Sequence, residues 1–244
     1  MLLDNRTNVF SQNGEDGIVE KIFEELGIEC GQCCEFGAWD GKHFSNTFRL
    51  IKEKNWTALY IEGDPEKYKD LLKTCEEYPN ITPINTYVNK DNLDEIITEN
   101  GFSKDIDLLS IDVDSIDYEI WKNLLEVKPK VVIIEPSNQI PLWDRTPVYP
   151  AHENGGANPH ILKELAKQKG YYFVCTTGNL FFVRNDLTVT VHDNVEFPWW
   201  LDNNKKQIVS YLSTILKNEE DYLNFSEDII KYIRGFKLGY MSKI

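Results

Sequence analysis

The chain has 244 residues, 41% of them hydrophobic and 27% charged, which is enough for one substantial domain with a buried core. A formal charge of −14 argues against a broad, non-specific grip on nucleic acid, which needs Lys and Arg to neutralise phosphates. No stretch approaches the roughly 20 apolar residues of a membrane span. The opening MLLDNRTNVFSQNGED lacks the apolar run of a signal peptide, so a cytoplasmic protein is expected.

In chain order, helical periodicity first appears over 14–26, with Ile18, Ile22, Phe23 and Leu26 on one face. Asn13 is the expected N-cap, and Glu15 and Asp16 fall in a first turn where the helix dipole favours acids. Strands are predicted over 32–36, 58–61, 82–88, 106–111 and 131–134, with helices over 46–54, 65–78, 93–100 and 118–125 between them. A long irregular stretch, 135–158, precedes a helix over 159–169. Strands over 171–175 and 180–184 then form a hairpin turning at Thr177-Gly178-Asn179.

This alternation predicts an α/β fold: a Rossmann-like, seven-stranded, mostly parallel sheet with an antiparallel closing strand and helices on both faces. No repeat or linker interrupts it. The expectation is a single domain over 1–244, with a helical cap over about 1–29, a core over about 30–187 and a helical extension over about 188–244. The extension either covers the sheet or makes a homodimer contact. Cys30, Cys33 and Cys34 form a C-x2-C-C cluster without a second pair at a zinc interval, so they are read as small strand residues.

The chemistry concentrates at predicted strand ends. Cys34-Glu35-Phe36-Gly37-Ala38-Trp39-Asp40-Gly41 places two glycines in the turn after the first strand, where the backbone turns tightly and approaches a ligand. It is not the G-x-G-x-x-G of nicotinamide enzymes. Glu35, ahead of the glycines, would receive a dinucleotide pyrophosphate poorly and suits a cation such as the ammonium or sulfonium of S-adenosylmethionine. Glu62, at the end of the second strand in Ile61-Glu62-Gly63-Asp64-Pro65, lies near the interval at which an acid accepts ribose hydroxyls. The competing structural reading is a carboxylate at a helix start, since Asp64-Pro65 is itself a helix opening.

Glu35 to Gly41, Ser45-Asn46-Thr47 and Ile61 to Pro65 together resemble the FkbM-like branch of class I S-adenosylmethionine-dependent methyltransferases. Ser11-Gln12-Asn13-Gly14-Glu15-Asp16, Leu109 to Asp114, Val132 to Glu135 and Asn179 to Arg184 extend the likeness over about 10–187. Trp39 stands where many relatives carry Asn, and Glu135-Pro136-Ser137-Asn138 where they often carry Glu-Tyr-Asn. The resemblance implies that Gly37, Asp40 and Gly41 line the methionine portion and that Glu62 holds the ribose. Tyr87 to Asn89 would flank the adenine, and Gln12 and Glu15 would close over the methionine end. Asn46, Asp64 and Asp112 complete the expected cofactor-binding set.

Asp112 and Asp114 follow the fourth strand, and Glu135 and Asn138 the fifth. As oxygen ligands they resemble the magnesium site of catechol-type O-methyltransferases, so Mg2+ or Mn2+ is a candidate cofactor. The alternative has Asp112 on the methionine ammonium and Asp114 capping the next helix. Asp112, Asp114 and His152 are the catalytic candidates, while Trp143, Tyr149 and Arg145 in the long loop suit a sugar, base or phosphate. His43 and His160 receive no catalytic role.

The expected activity is O-methylation of a small glycan-related, phosphorylated or nucleotide-linked acceptor, with capsule or surface polysaccharide as one setting. Alternatives are a cofactor-binding interaction module without catalysis, or a metal-dependent natural-product O-methyltransferase. Neither nucleic acid nor a membrane is an expected partner.

Overall fold

The computed structural model describes residues 2–113, 116–137 and 157–190, all within the unit Met1–Val195. The helical extension expected over about 188–244 lies almost wholly outside them. A short 3-10 turn, Leu2–Asn5, leads through a loop into α1 (Glu15–Leu26). There follow β1 (Gln32–Phe36), α2 (Phe48–Lys54), β2 (Thr57–Glu62), α3 (Pro65–Glu77), β3 (Ile81–Asn85), α4 (Leu93–Glu99) and β4 (Leu108–Ile111). The described core closes with α5 (Asp117–Asn123), β5 (Val131–Ile134), α6 (Pro159–Lys169), β6 (Tyr171–Thr176) and β7 (Leu180–Arg184).

The seven strands among the described residues join one sheet in the order β3-β2-β1-β4-β5-β7-β6. β7 runs antiparallel to both β5 and β6, and the remaining pairs are parallel. β4 and β5 read as short, mostly apolar runs because helices cover both faces of a parallel sheet. On one face Ile18, Val19, Ile22 and Phe23 of α1 pack with Trp56, Val174 and Phe181.

Helix ends follow local chemistry. Asp64 Oδ1 accepts from the backbone N–H of Glu66 and Lys67 with Pro65 at the first helical position, and Asn158 caps α6 the same way ahead of Pro159. α1 stops at left-handed Gly27, whose N–H bonds Glu24 O while that of Ile28 bonds Phe23 O.

Two expectations are corrected. Asn13 is not the N-cap of α1: Gly14 holds that position at φ 99°, with no side-chain cap. The preceding loop is organised instead by Asp16, whose Oδ2 accepts from Val9 N, Phe10 N, Ser11 N and Ser11 Oγ. The third strand ends at Asn85 rather than 88. Its neighbour β2 ends at Glu62, opposite Asn85, so nothing remains to pair with. Beyond it Asn89 and Asn92 turn the chain by bonding Asp91 N and Asn89 N.

Candidate functional site

The strand order reverses between β1 and β4, and open α/β sheets bind ligands at the carboxyl ends of strands flanking such a switch point. Gly37 leaves β1 at φ 72°, and a Cβ there would lie 2.4 Å from Asp112 O, so the exits of β1 and β4 touch backbone to backbone. The turn is then laced to β2. Ala38 N donates to Ile61 O (3.2 Å), Trp39 N donates to Glu62 Oε2 (2.8 Å), and Gly41 at φ 75° packs on the Tyr60 ring and Leu71.

Glu62 is 6% exposed, and its second oxygen accepts from Asp64 N at 2.8 Å. Each oxygen keeps a lone pair for a further donor. Next to it, Gly63 lies under the Tyr87 ring, whose atoms come within 2.3 Å of where a Cβ would sit. Tyr87 is 71% exposed and stands at the exit of β2. Gly37, Gly41, Glu62, Tyr87 and the backbone of Asp112 are therefore gathered at one edge of the sheet.

Other expected cofactor residues are committed to the protein itself. Glu35 is a correction to the cation reading: it is buried, and its oxygens accept from Thr47 Oγ1, from Ser45 Oγ at 2.8 Å and from Asn46 N at 3.2 Å. Tyr60 closes this cluster through Thr47 Oγ1 at 2.8 Å, and Asn46 Nδ2 donates across to Ser110 Oγ on β4 at 3.1 Å. Asp64 serves as the α3 cap described above. Asp40 accepts from Lys42 N, His43 N and His43 Nδ1. Burial would raise its carboxyl, but the bonds from His43 and Lys42 outweigh this and hold it below the usual range.

Glu15 is buried and accepts from Asn13 N and, at 2.5 Å, from Thr177 Oγ1, tying the loop ahead of α1 to the β6–β7 turn. Gln12 and Asn89 are exposed. Sequence reasoning singled out Ser45 and Thr47 only as marks of the resemblance, without a role, and missed Tyr60 and Ser110. The available signal was a polar side chain in the middle of each of two otherwise apolar strands.

Burial raises the Glu35 carboxyl against its hydrogen bonds, so the folded chain keeps that proton to higher pH than the unfolded chain. Stability linked to Glu35 is then full below the unfolded value, about 4.3, and is lost as pH climbs through the folded one. Urea unfolding of the wild type should show this decline from about pH 4 upward, and Glu35→Gln should lack it. Parallel pH profiles for the two proteins would contradict it.

Asp112 and Glu135 follow the adjacent strands β4 and β5, and Glu135 N donates to Ile111 O. Asp114, Asn138, Trp143, Arg145, Tyr149 and His152 lie outside the described residues. Among the described residues no three His, Cys, Asp or Glu side chains gather as metal ligands. Cys33 and Cys34 are buried strand residues and Cys30 is exposed. No described helix is long and apolar enough to cross a membrane.

The architecture is that of the Rossmann-like, seven-stranded methyltransferase fold. No protein-family model matches the chain, and no curated protein matches it. Solved structures similar to it include a SAM dependent methyltransferase from Aquifex aeolicus, at 14% identity and TM-score 0.43, covering 67% of this chain and 86% of that one. TrmK of M. capricolum in complex with S-adenosyl-homocysteine is 16% identical with TM-score 0.41, covering 84% and 86%. An O-methyltransferase family protein from Burkholderia thailandensis is 10% identical with TM-score 0.45, covering 63% and 51%. The fold assignment rests on the strand order and register of this chain.

Proposed function

We propose that this protein is an S-adenosylmethionine-dependent O-methyltransferase of FkbM-like type, acting on a small glycan-related, phosphorylated or nucleotide-linked acceptor. The observation that carries the reading is the Gly37–Gly41 turn, tied by the Trp39 amide to the buried carboxylate of Glu62 at the switch point of the sheet. The residues fit the cofactor. Gly37 lets the exits of β1 and β4 meet without a side chain between them, Glu62 offers acceptors to two ribose hydroxyls, and Tyr87 offers a ring face to the adenine.

When bound, S-adenosylmethionine supplies a methyl group open to in-line displacement at its sulfonium. The protein's part is to align an acceptor hydroxyl and receive its proton. Asp112 and Glu135 are the described carboxylates on the acceptor side, at the ends of β4 and β5. Glu35 acts by holding residues 45–47 ahead of α2, and Asp40 by holding the amides of Lys42 and His43 after the glycine turn. The expected cation set includes Asp114 and Asn138, which lie outside the described residues.

A thermal-shift screen tests the reading. S-adenosylhomocysteine should raise the melting temperature and NAD should not, because ligand that binds only the folded state stabilises it by mass action. Stabilisation by NAD alone would overturn the assignment.

A further inference from the structure

The segment that follows the glycine turn carries an aromatic ledge that the cofactor reading leaves unused. Trp39 is 41% exposed, Phe44 58%, and the His43 side chain between them 69%. The His43 ring centroid lies 5.7 Å from that of Trp39 and 6.4 Å from that of Phe44. A contiguous group of water-facing aromatics is a candidate recognition surface.

The ledge is held in place against its own backbone preference. Trp39 at φ 45° and Phe44 at φ 61° are bulky residues in the left-handed region, which the chain adopts only where its surroundings enforce it. The enforcement is visible. Trp39 N is fixed by Glu62, and Asp40 holds Lys42 N, His43 N and, at 2.6 Å, His43 Nδ1. With Nδ1 held by Asp40, Nε2 is the ring's second polar atom, on an exposed side chain.

We propose that Trp39, His43 and Phe44 form a subsite for a neutral sugar ring of the acceptor. The C–H face of the ring rests on an aromatic face, and a hydroxyl, able to donate or accept, hydrogen-bonds His43 Nε2. The proposal rests on the methyltransferase reading and names its acceptor class. The rings are stepped, at 31° and 71°, so they offer single faces and no parallel slot for a flat base. Lys42, the segment's lysine, pairs with Glu77 at 2.9 Å, so the charge that would attract a phosphate is already engaged. An apolar face beside one fixed polar atom matches a sugar, which has both on one ring. The Trp39 amide donates to Glu62, so the backbone that carries the ledge adjoins the carboxylate proposed to hold the ribose.

Saturation-transfer NMR on the full chain tests this, with methyl β-D-glucopyranoside, diacetylchitobiose and adenosine as probes. Transfer should reach the ring C–H protons of the sugars and vanish in Trp39→Gly, a change the left-handed backbone accepts without strain. Phe44→Ala, in a second folded variant, should weaken it while the affinity for S-adenosylhomocysteine stays unchanged. No transfer to either sugar, or transfer that survives Trp39→Gly, would overturn the proposal. Trp39-dependent transfer to adenosine alone would also overturn it and make the ledge a base platform. Sugar binding in a wild type that fails to bind S-adenosylhomocysteine would instead overturn the methyltransferase reading and leave the ledge standing.

Discussion

Gly37→Ala should destabilise the protein by at least about 2 kcal/mol and abolish cofactor binding, because two penalties coincide at one position. The residue sits at φ 72°, where an L side chain costs roughly 1–2 kcal/mol. Its Cβ would also lie 2.4 Å from Asp112 O, a backbone atom that retreats only if β4 parts from β1. Gly101 separates the two effects. At φ 81° with nothing within 4 Å of its Cβ position, Gly101→Ala carries the conformational penalty alone. Gly41→Ala should fall between them, since the atoms it meets belong to the Leu71 and Tyr60 side chains, which can shift. Urea unfolding of the three variants beside calorimetric titration with S-adenosylhomocysteine makes the comparison. A Gly37→Ala protein no less stable than Gly101→Ala would show that the two strand exits are not in contact.

The sheet was legible in the sequence because β4, β5 and β7 are short, mostly apolar runs of strand length set between segments of helical periodicity. The position of the candidate site has residue-level marks for a related reason. A turn that tolerates only glycine at a close backbone approach, and an acid at the next strand end, both leave residue-level marks. What sequence could not resolve is where a polar side chain points. Glu35 alternates along β1 toward Ser45 and Thr47, so an acid beside a glycine turn became an internal anchor for the start of α2. Asp40 and Asp64 likewise bond amides two and three residues ahead, as short acids in turns do. Asn13 failed as a cap because Asp16, inside the helix, gathers three amides of the preceding loop, a pairing that spans five to seven residues and has no spacing signature.

Glu62→Ala should weaken S-adenosylhomocysteine binding by roughly 1–3 kcal/mol, through loss of the acceptor for two ribose hydroxyls. At roughly 1.4 kcal/mol per factor of ten, that is a loss of about fivefold to 150-fold in affinity. The side chain also accepts from Trp39 N and Asp64 N, so the same substitution orphans two amides and loosens the turn. Stability and affinity should therefore fall together in the alanine variant. Glu62→Gln divides the two contributions. It keeps one carbonyl oxygen for one amide and turns a donor toward the other. The turn is then partly held, while a ribose that needs two acceptors loses one. Titration calorimetry at a temperature where both variants remain folded should rank affinity as wild type above Gln above Ala. If both variants lose stability yet bind S-adenosylhomocysteine as the wild type does, Glu62 is only the tie between β2 and the glycine turn. The ribose would then have to be held elsewhere at the strand ends.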